Sequence, residues 1–286
     1  MISRIAILGT GLLGTSVGLA LREAKFDGAI TGWNRSPEQG QLALKMGAID
    51  SLAADPIEAA RTSQVTLLAV PIYATLDFME KLAPVLGPEQ LLTDVGSTKR
   101  VITETGGRLY NTPQRAAFLP GHPMAGKERG GASLGDANLF RGAMWLFTDA
   151  PAAERSPQSA EFVKEWREWV VKMGSKTLDL GAARHDELVA WVSHLPQFTA
   201  TALSALLEKE VSDAPELKDV GGRALREMTR LGASPFSMWR DIAHTNTEAI
   251  ERALAALEQH LAHLRENLRT PELRDEFEQA NKFRKE

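Results

Sequence analysis

Short apolar runs separated by helical patterns fill the first half of the chain. Residues 2–8 read as a strand, followed by Gly9-Thr-Gly-Leu-Leu-Gly14 and a helical stretch over 15–24. Residues 29–33 and 65–70 read as further strands, the second stopped by Pro71. Residues 91–94, 116–119 and 144–147 follow, with helical segments between several of them. Pro151, Pro157 and their polar neighbours predict a loop, 161–173 a helix capped by Gly174, and 176–180 a last strand. Strands alternating with helices predict a parallel α/β sheet.

From Arg184 onward the pattern is almost wholly helical. Its clearest element covers 245–268, where Ile250, Leu254, Leu257, Leu261, Leu264 and Leu268 follow a 4-3-4-3-4 spacing. That is the heptad period of a packed helix seam. The seam fits packing inside its own domain, and it also fits a symmetric dimer built on this half of the chain. The pattern divides the chain into a Rossmann-type α/β nucleotide-binding domain, 1–181, and an all-α domain, 182–286.

With 286 residues, 43% of them hydrophobic, the chain has enough apolar material for two cores. The formal net charge is −4 and no basic stripe stands out, which argues against a nucleic-acid partner. A small anion remains allowed, because a few local Arg or Lys residues bind one against an acidic average. The absence of cysteine excludes disulfides, thiolate catalysis and cysteine-ligated metals, and no metal site is expected. No apolar run approaches the roughly 20 residues of a membrane span. Met1-Ile-Ser-Arg4 enters a strand directly, which predicts a cytoplasmic protein without a signal peptide.

The glycine run has the context that gives it meaning, since it follows a strand and opens a helix. Gly9 allows the tight turn, Gly11 admits the pyrophosphate to the backbone, and Gly14 lets helix and strand approach. Leu12 and Leu13 belong to the same phosphate-binding helix start. Past the second strand, where an acidic residue would hold the ribose of NAD, the chain reads Trp33-Asn34-Arg35-Ser36. Arg35 can pair with a 2′-phosphate and Asn34 and Ser36 can donate to it, so NADP is expected ahead of NAD. Arg35 could equally stack on adenine. Val70 and Pro71, at a strand end, also border the expected nicotinamide site.

Groups at the carboxyl ends of the strands are placed to meet substrate. They are Asp94-Val-Gly-Ser97-Thr-Lys99 and His122 in Gly121-His-Pro-Met-Ala-Gly126. Lys99 can hold an anion or anchor its loop; Asp94 and Ser97 taken singly also suit turn formation. Of the other histidines, His260 and His263 read as solvated and His244 as lying near a helix end. His185 reads as structural at a helix start. His194 precedes Pro196, which can bend a helix and turn the imidazole towards a cleft.

Together the glycine turn, "DVGSTK" (94–99), "GHPMAG" (121–126), "HDELVAWVSHLPQ" (185–197) and "TRLGASPFSMW" (229–239) resemble the prephenate/arogenate dehydrogenase family. The resemblance runs in order over nearly the whole chain. It implies a nucleotide-binding domain, a helical domain that dimerises, and an active site in the cleft between them. It also implies a dianionic substrate, prephenate or arogenate, whose ring C4 gives hydride to NAD(P) and whose C4 hydroxyl loses its proton as C1 loses CO2.

On that resemblance a neutral His122 accepts from the C4 hydroxyl, with a rate rising through an imidazole pKa near 6.5 before environmental shifts. Ser97 orients His122 or the hydroxyl, Arg230 binds a carboxylate, and His194 lies at a carboxylate or the substrate side chain. Trp239 closes the pocket from this or the other subunit. Gln197 stands where some members have a second histidine after His-Leu-Pro, so recognition of the keto or amino side chain is expected to differ there. The length leaves no room for a fused chorismate mutase, and any tyrosine inhibition is expected at or near the active site. The rival readings are a β-hydroxyacid or imine dehydrogenase and a non-catalytic NADP-binding sensor.

Overall fold

The computed structural model describes residues 1–148 and 155–285. Strand β1 (Arg4–Leu8) feeds the glycine turn and helix α1 (Leu12–Glu23). Then come β2 (Ala29–Trp33), α2 (Pro37–Lys45), β3 (Ser51–Leu52), α3 (Pro56–Arg61) and β4 (Val65–Leu68). They are followed by α4 (Ile72–Leu82), β5 (Leu91–Asp94), α5 (Arg100–Leu109) and β6 (Ala117–Leu119). The six strands form one parallel sheet in the order β3-β2-β1-β4-β5-β6, the doubly wound arrangement that binds dinucleotides at its carboxyl edge. Central strands β4 and β5 are buried on both faces, which is why they read as continuous apolar runs. Register aligns Leu8 with Trp33 and Leu68, and Leu68 with Asp94. The segments that leave these four residues therefore emerge along one edge.

Three further strands depart from the single sheet expected. Pro120 ends β6, and β7 (Gly121–Pro123) pairs antiparallel with β8 (Met144–Thr148), which pairs parallel with β9 (Lys176–Leu180). These form a separate sheet, β7-β8-β9. His122 thus lies on a strand of its own, opposite Leu146. Gly121 permits the close crossing: a Cβ there would lie 2.8 Å from the carbonyl oxygen of Asp94. Helix α6 (Pro157–Lys172) begins at Pro157, so that proline opens a helix, where a missing N–H costs nothing. The expected loop around Pro151 lies outside the described residues. Gly174 ends α6 with φ +94°, as its reading as a cap requires.

The remainder is helical: α7 (Ala182–Val189), a wide π turn (Ala190–His194), α8 (Leu195–Val211), α9 (Leu217–Val220) and α10 (Arg223–Thr229). A 3₁₀ turn (Arg230–Ala233) leads to α11 (Phe236–Thr245), α12 (Thr247–Glu266) and α13 (Glu272–Lys285). The single helix expected over 245–268 is broken at Asn246, whose side chain is used elsewhere. Along the heptad stripe Ile250 is buried and Leu254 half-buried, while Leu261 and Leu268 are 55% and 63% exposed.

Alternation along β1 sends Ile5 and Ile7 into one core, and Ala6 and Leu8 into the other. Ile242 and Ile250 of the helical part join this second core, which fixes the helices against the nucleotide sheet. No helix among the described residues is long and apolar enough to cross a membrane.

Candidate active site

The glycine turn is built as its spacing predicts. Gly9 has φ +102°, and a Cβ on Gly14 would run into the carbonyl of Gly9. A Cβ on Gly11 would meet nothing within 4 Å, and no side chain caps the start of α1. Backbone N–H groups of the Leu12–Leu13 turn are thus left for an anion in an open cradle, and the site fits a dinucleotide pyrophosphate.

The corner beyond β2 differs from expectation. Asn34 Nδ2 donates to Thr10 Oγ1 (3.2 Å) and its Oδ1 accepts from Ser36 N–H (2.9 Å). Ser36 caps α2 and donates its hydroxyl hydrogen to Glu38 at 2.6 Å. Ser36 thus has no hydrogen left for a phosphate, while Asn34 keeps one of its two amide hydrogens. The carboxylate of Glu38 does stand at this corner, held below its usual pKa by the Ser36 hydroxyl. Arg35 is exposed and has no ion pair among the described residues. Val70 and Pro71 leave β4 on the same edge, Pro71 starting α4.

Next along this edge, β5 delivers the Asp94–Lys99 segment. Lys99 does not face outward for an anion: its Nζ lies 2.5 Å from Asp94 Oδ2, both side chains fully buried. It anchors the loop. The Ser97 hydroxyl has no hydrogen bond among the described residues and is half-buried.

His122 is oriented by another histidine. Its Nδ1 lies 2.9 Å from His185 Nε2, and His185 Nδ1 lies 2.8 Å from Asp186 Oδ1. The Asp186 carboxylate also accepts the backbone N–H groups of Lys99 (2.7 Å) and Arg100 (2.9 Å) at the start of α5. A carboxylate so placed accepts from His185 Nδ1–H, leaving His185 Nε2 to accept from His122 Nδ1–H. The lone pair of His122 then lies on Nε2. Two expectations change: His185, which the sequence presents as structural, is bonded to the His122 ring, and Ser97 makes no bond to that ring, which leaves it the hydroxyl. The signal available in the sequence was the adjacent His-Asp pair opening a helix nine positions before His194.

His194 ends the π turn that accommodates Pro196 at the start of α8. Asn246 Nδ2 donates to the Asp186 carbonyl (2.8 Å) and lies 3.3 Å from His194 Nδ1. With Nδ1 accepting, His194 carries its hydrogen on Nε2 and is a neutral donor. Trp239 stands edge-on to His194 and to Phe198, ring centroids 5.8 Å away in each case, with its buried indole N–H unpaired among the described residues. Arg230 opens the 3₁₀ turn, largely exposed, and pairs with Glu128. Gln197 is not free for a substrate. Its amide donates to the Leu231 carbonyl (2.7 Å) and Thr201 (3.1 Å) and accepts from Ser234 (3.0 Å), tying α8 to the turn that carries Arg230.

Burial pushes all three imidazoles below the ordinary histidine pKa, His122 well below it and His194 to about 4. For His122 the charges of His185, Lys99 and His194 act in the same direction. Charging of His122 therefore falls on the acid side of the 6.5 expected for an unperturbed imidazole. Stability follows the same logic. Between pH 6.5 and 4 the unfolded chain binds a proton at His194 that the folded chain refuses, so stability falls as pH falls. A shift of this size corresponds to about 3 kcal/mol for His194 alone. Urea unfolding at pH 7 and pH 4.5 measures it, and equal midpoints would contradict neutral burial.

Comparison with known proteins agrees with this architecture. A family model described as the prephenate dehydrogenase nucleotide-binding domain matches residues 17–174, and one described as the prephenate dehydrogenase dimerization domain matches 181–283. The prephenate dehydrogenase of Lactococcus lactis subsp. cremoris is 30% identical over 259 residues, 90% of this chain and 69% of that protein. A crystal structure of prephenate dehydrogenase from A. aeolicus, in complex with hydroxyphenyl propionate and NAD+, superposes with a TM-score of 0.84 at 26% identity. That match covers 100% of this chain and 96% of the other. The crystal structure of Synechocystis arogenate dehydrogenase gives a TM-score of 0.77 at 28% identity, covering 99% of each chain. With both halves matched in order, the chain belongs to the prephenate dehydrogenase family.

Proposed function

We propose that this enzyme oxidatively decarboxylates prephenate, arogenate or both, with His122 as the proton acceptor and Arg230 and His194 as the anion-binding groups. The observation that carries the reading is the buried His122–His185–Asp186 chain, which leaves an uncharged imidazole with its Nε2 lone pair free. In this reading residues 1–181 hold the dinucleotide through the glycine turn, the 34–36 corner and Val70–Pro71, and 182–286 complete the substrate pocket. The bound dinucleotide supplies the hydride acceptor.

The C4 hydroxyl donates to His122 Nε2, so electron density develops on that oxygen as the C4 hydrogen departs with its electron pair. Cleavage of the C1–carboxylate bond releases CO2 and leaves its electron pair to complete the aromatic ring. The hydroxyl hydrogen remains in the phenol product, so His122 holds a proton only in passing. Ser97 provides a second hydrogen bond at the same oxygen. Arg230 exchanges Glu128 for a substrate carboxylate, which its planar fork suits. His194 donates from Nε2 to an anionic oxygen, and Trp239 packs behind it.

Arg35 is the group that supports NADP over NAD, and Glu38 is the one that opposes it. A homodimer is the assembly we assign. Within one chain α8 is apolar on several sides with Leu206 56% exposed, and Trp191, Val192, Met228, Phe236 and Leu261 are also uncovered. All belong to the helical half, and so large an apolar surface calls for a partner.

Steady-state assay of each cyclohexadienol with each dinucleotide, with product identification, tests the reading. Turnover to 4-hydroxyphenylpyruvate or tyrosine is expected, with kcat/KM higher for NADP. A preference for NAD would assign the corner to Glu38. Dinucleotide binding without turnover of either substrate would overturn the activity.

A further inference from the structure

Lys99 has no task in the reaction as described, yet its side chain is fully buried. An ammonium withdrawn from water persists only when paired and hydrogen-bonded, and an apolar side chain of like volume would fill the space without that requirement. Its partner is heavily used. Asp94 Oδ2 also accepts Gly96 N–H (2.7 Å), and Oδ1 accepts Gly121 N–H (3.2 Å), the residue before His122. The Lys99 backbone N–H meets Asp186, where the His122–His185 chain ends. One residue therefore touches both carboxylates that flank the imidazole pair.

We propose that Lys99 is an electrostatic positioning residue: its ammonium, held by Asp94, and its backbone N–H, held by Asp186, tie a cation to both ends of the His122–His185 chain, where it adds to burial in keeping a proton off the acceptor. The inference rests on the reading of His122 as that acceptor. The charged and titratable groups around His122 are His185 and Asp186 on α7, His194 on the π turn, and Lys99 and Asp94 at the exit of β5. Asp94 and Asp186 draw a proton towards His185, whereas Lys99 repels one from both rings. Asp94 bears on His185 and Lys99 on both rings, so His122 is the ring that reports the lysine when both charges of the pair are removed.

The test is a double variant, Lys99→Met with Asp94→Asn, which removes both charges of the pair at similar volume. The chain has six histidines, so nitrogen-15 NMR of histidine-labelled protein follows each ring as pH falls, with His122 assigned by its loss in His122→Asn. In the double variant the charging midpoint of His122 is expected to rise by about half a pH unit or more. The acid limb of kcat/KM is expected to rise with it. If Lys99 merely braces the loop, kcat falls while both midpoints stay in place, and that result overturns the proposal. Should the double variant fail to fold, Lys99→Gln removes the charge and keeps a donor for Asp94, and it is read in the same way. The NMR titration needs no substrate. A raised midpoint in an enzyme inactive on both cyclohexadienols would reject the substrate reading alone, and an unmoved midpoint in an active enzyme would reject this proposal alone.

Discussion

Replacing His122 with asparagine lowers kcat by about 10²–10⁴-fold, the usual worth of a positioned general base, while dinucleotide affinity stays near that of the unchanged enzyme. The separation is expected because His122 projects from β7, whereas the phosphate cradle is built from β1 and α1. Asparagine fits the strand and can still bond to His185, but it offers no basic nitrogen to a C4 hydroxyl. Turnover measured alongside dinucleotide titration separates the two effects. In the unchanged enzyme kcat/KM should be level above pH 6.5 and decline on the acid side, because burial and the Lys99 charge hold His122 neutral. Near-normal turnover in the variant would remove His122 from the chemistry.

Asp186→Asn is expected to be nearly as damaging, about 10²–10⁴ in kcat, although Asp186 touches neither substrate nor dinucleotide in the proposed scheme. The carboxylate accepts from His185 and from two backbone N–H groups. An asparagine has one oxygen for these three donors. His185 and the Lys99 N–H share one carboxylate oxygen and the Arg100 N–H has the other, so where the amide oxygen keeps Arg100 the NH2 faces His185 Nδ1 and forces the hydrogen of His185 onto Nε2. His122 must then accept at Nδ1 and carry its own hydrogen on Nε2, which turns the base into a donor. KM for the dinucleotide should hardly move. Histidine NMR showing the same His122 tautomer in variant and parent, with full activity, would contradict the relay.

Much of the fold was legible because each signal was local. The glycine turn, the strands of the main sheet and the change to helices after Leu180 depend on neighbours in sequence. The departures all depend on distant partners. A three-residue β7 has no periodicity of its own and exists because β8 arrives from more than twenty positions later. Asn246 interrupts an otherwise continuous helical pattern because its carboxamide is spent on Asp186 and His194. The site divides the same way. His122, His194, Ser97 and Arg230 were marked by their motifs, whereas the part played by His185 appears only when α7 meets β7. Gln197 was assigned to the substrate by its position beside His-Leu-Pro, but its amide is consumed by the turn bearing Arg230. Glu38 carries no such mark in the sequence, because only the turn of α2 brings it back onto Ser36.

The break at Asn246 has a mechanical consequence. The ring of His122 is braced through His185 and Asp186 by the first turn of α5, inside the nucleotide sheet's own framework. The ring of His194 is held by one carboxamide at the joint between α11 and α12, the same carboxamide that holds the Asp186 carbonyl. A shift at that joint would therefore be felt by both rings at once, through Asp186 at one and directly at the other.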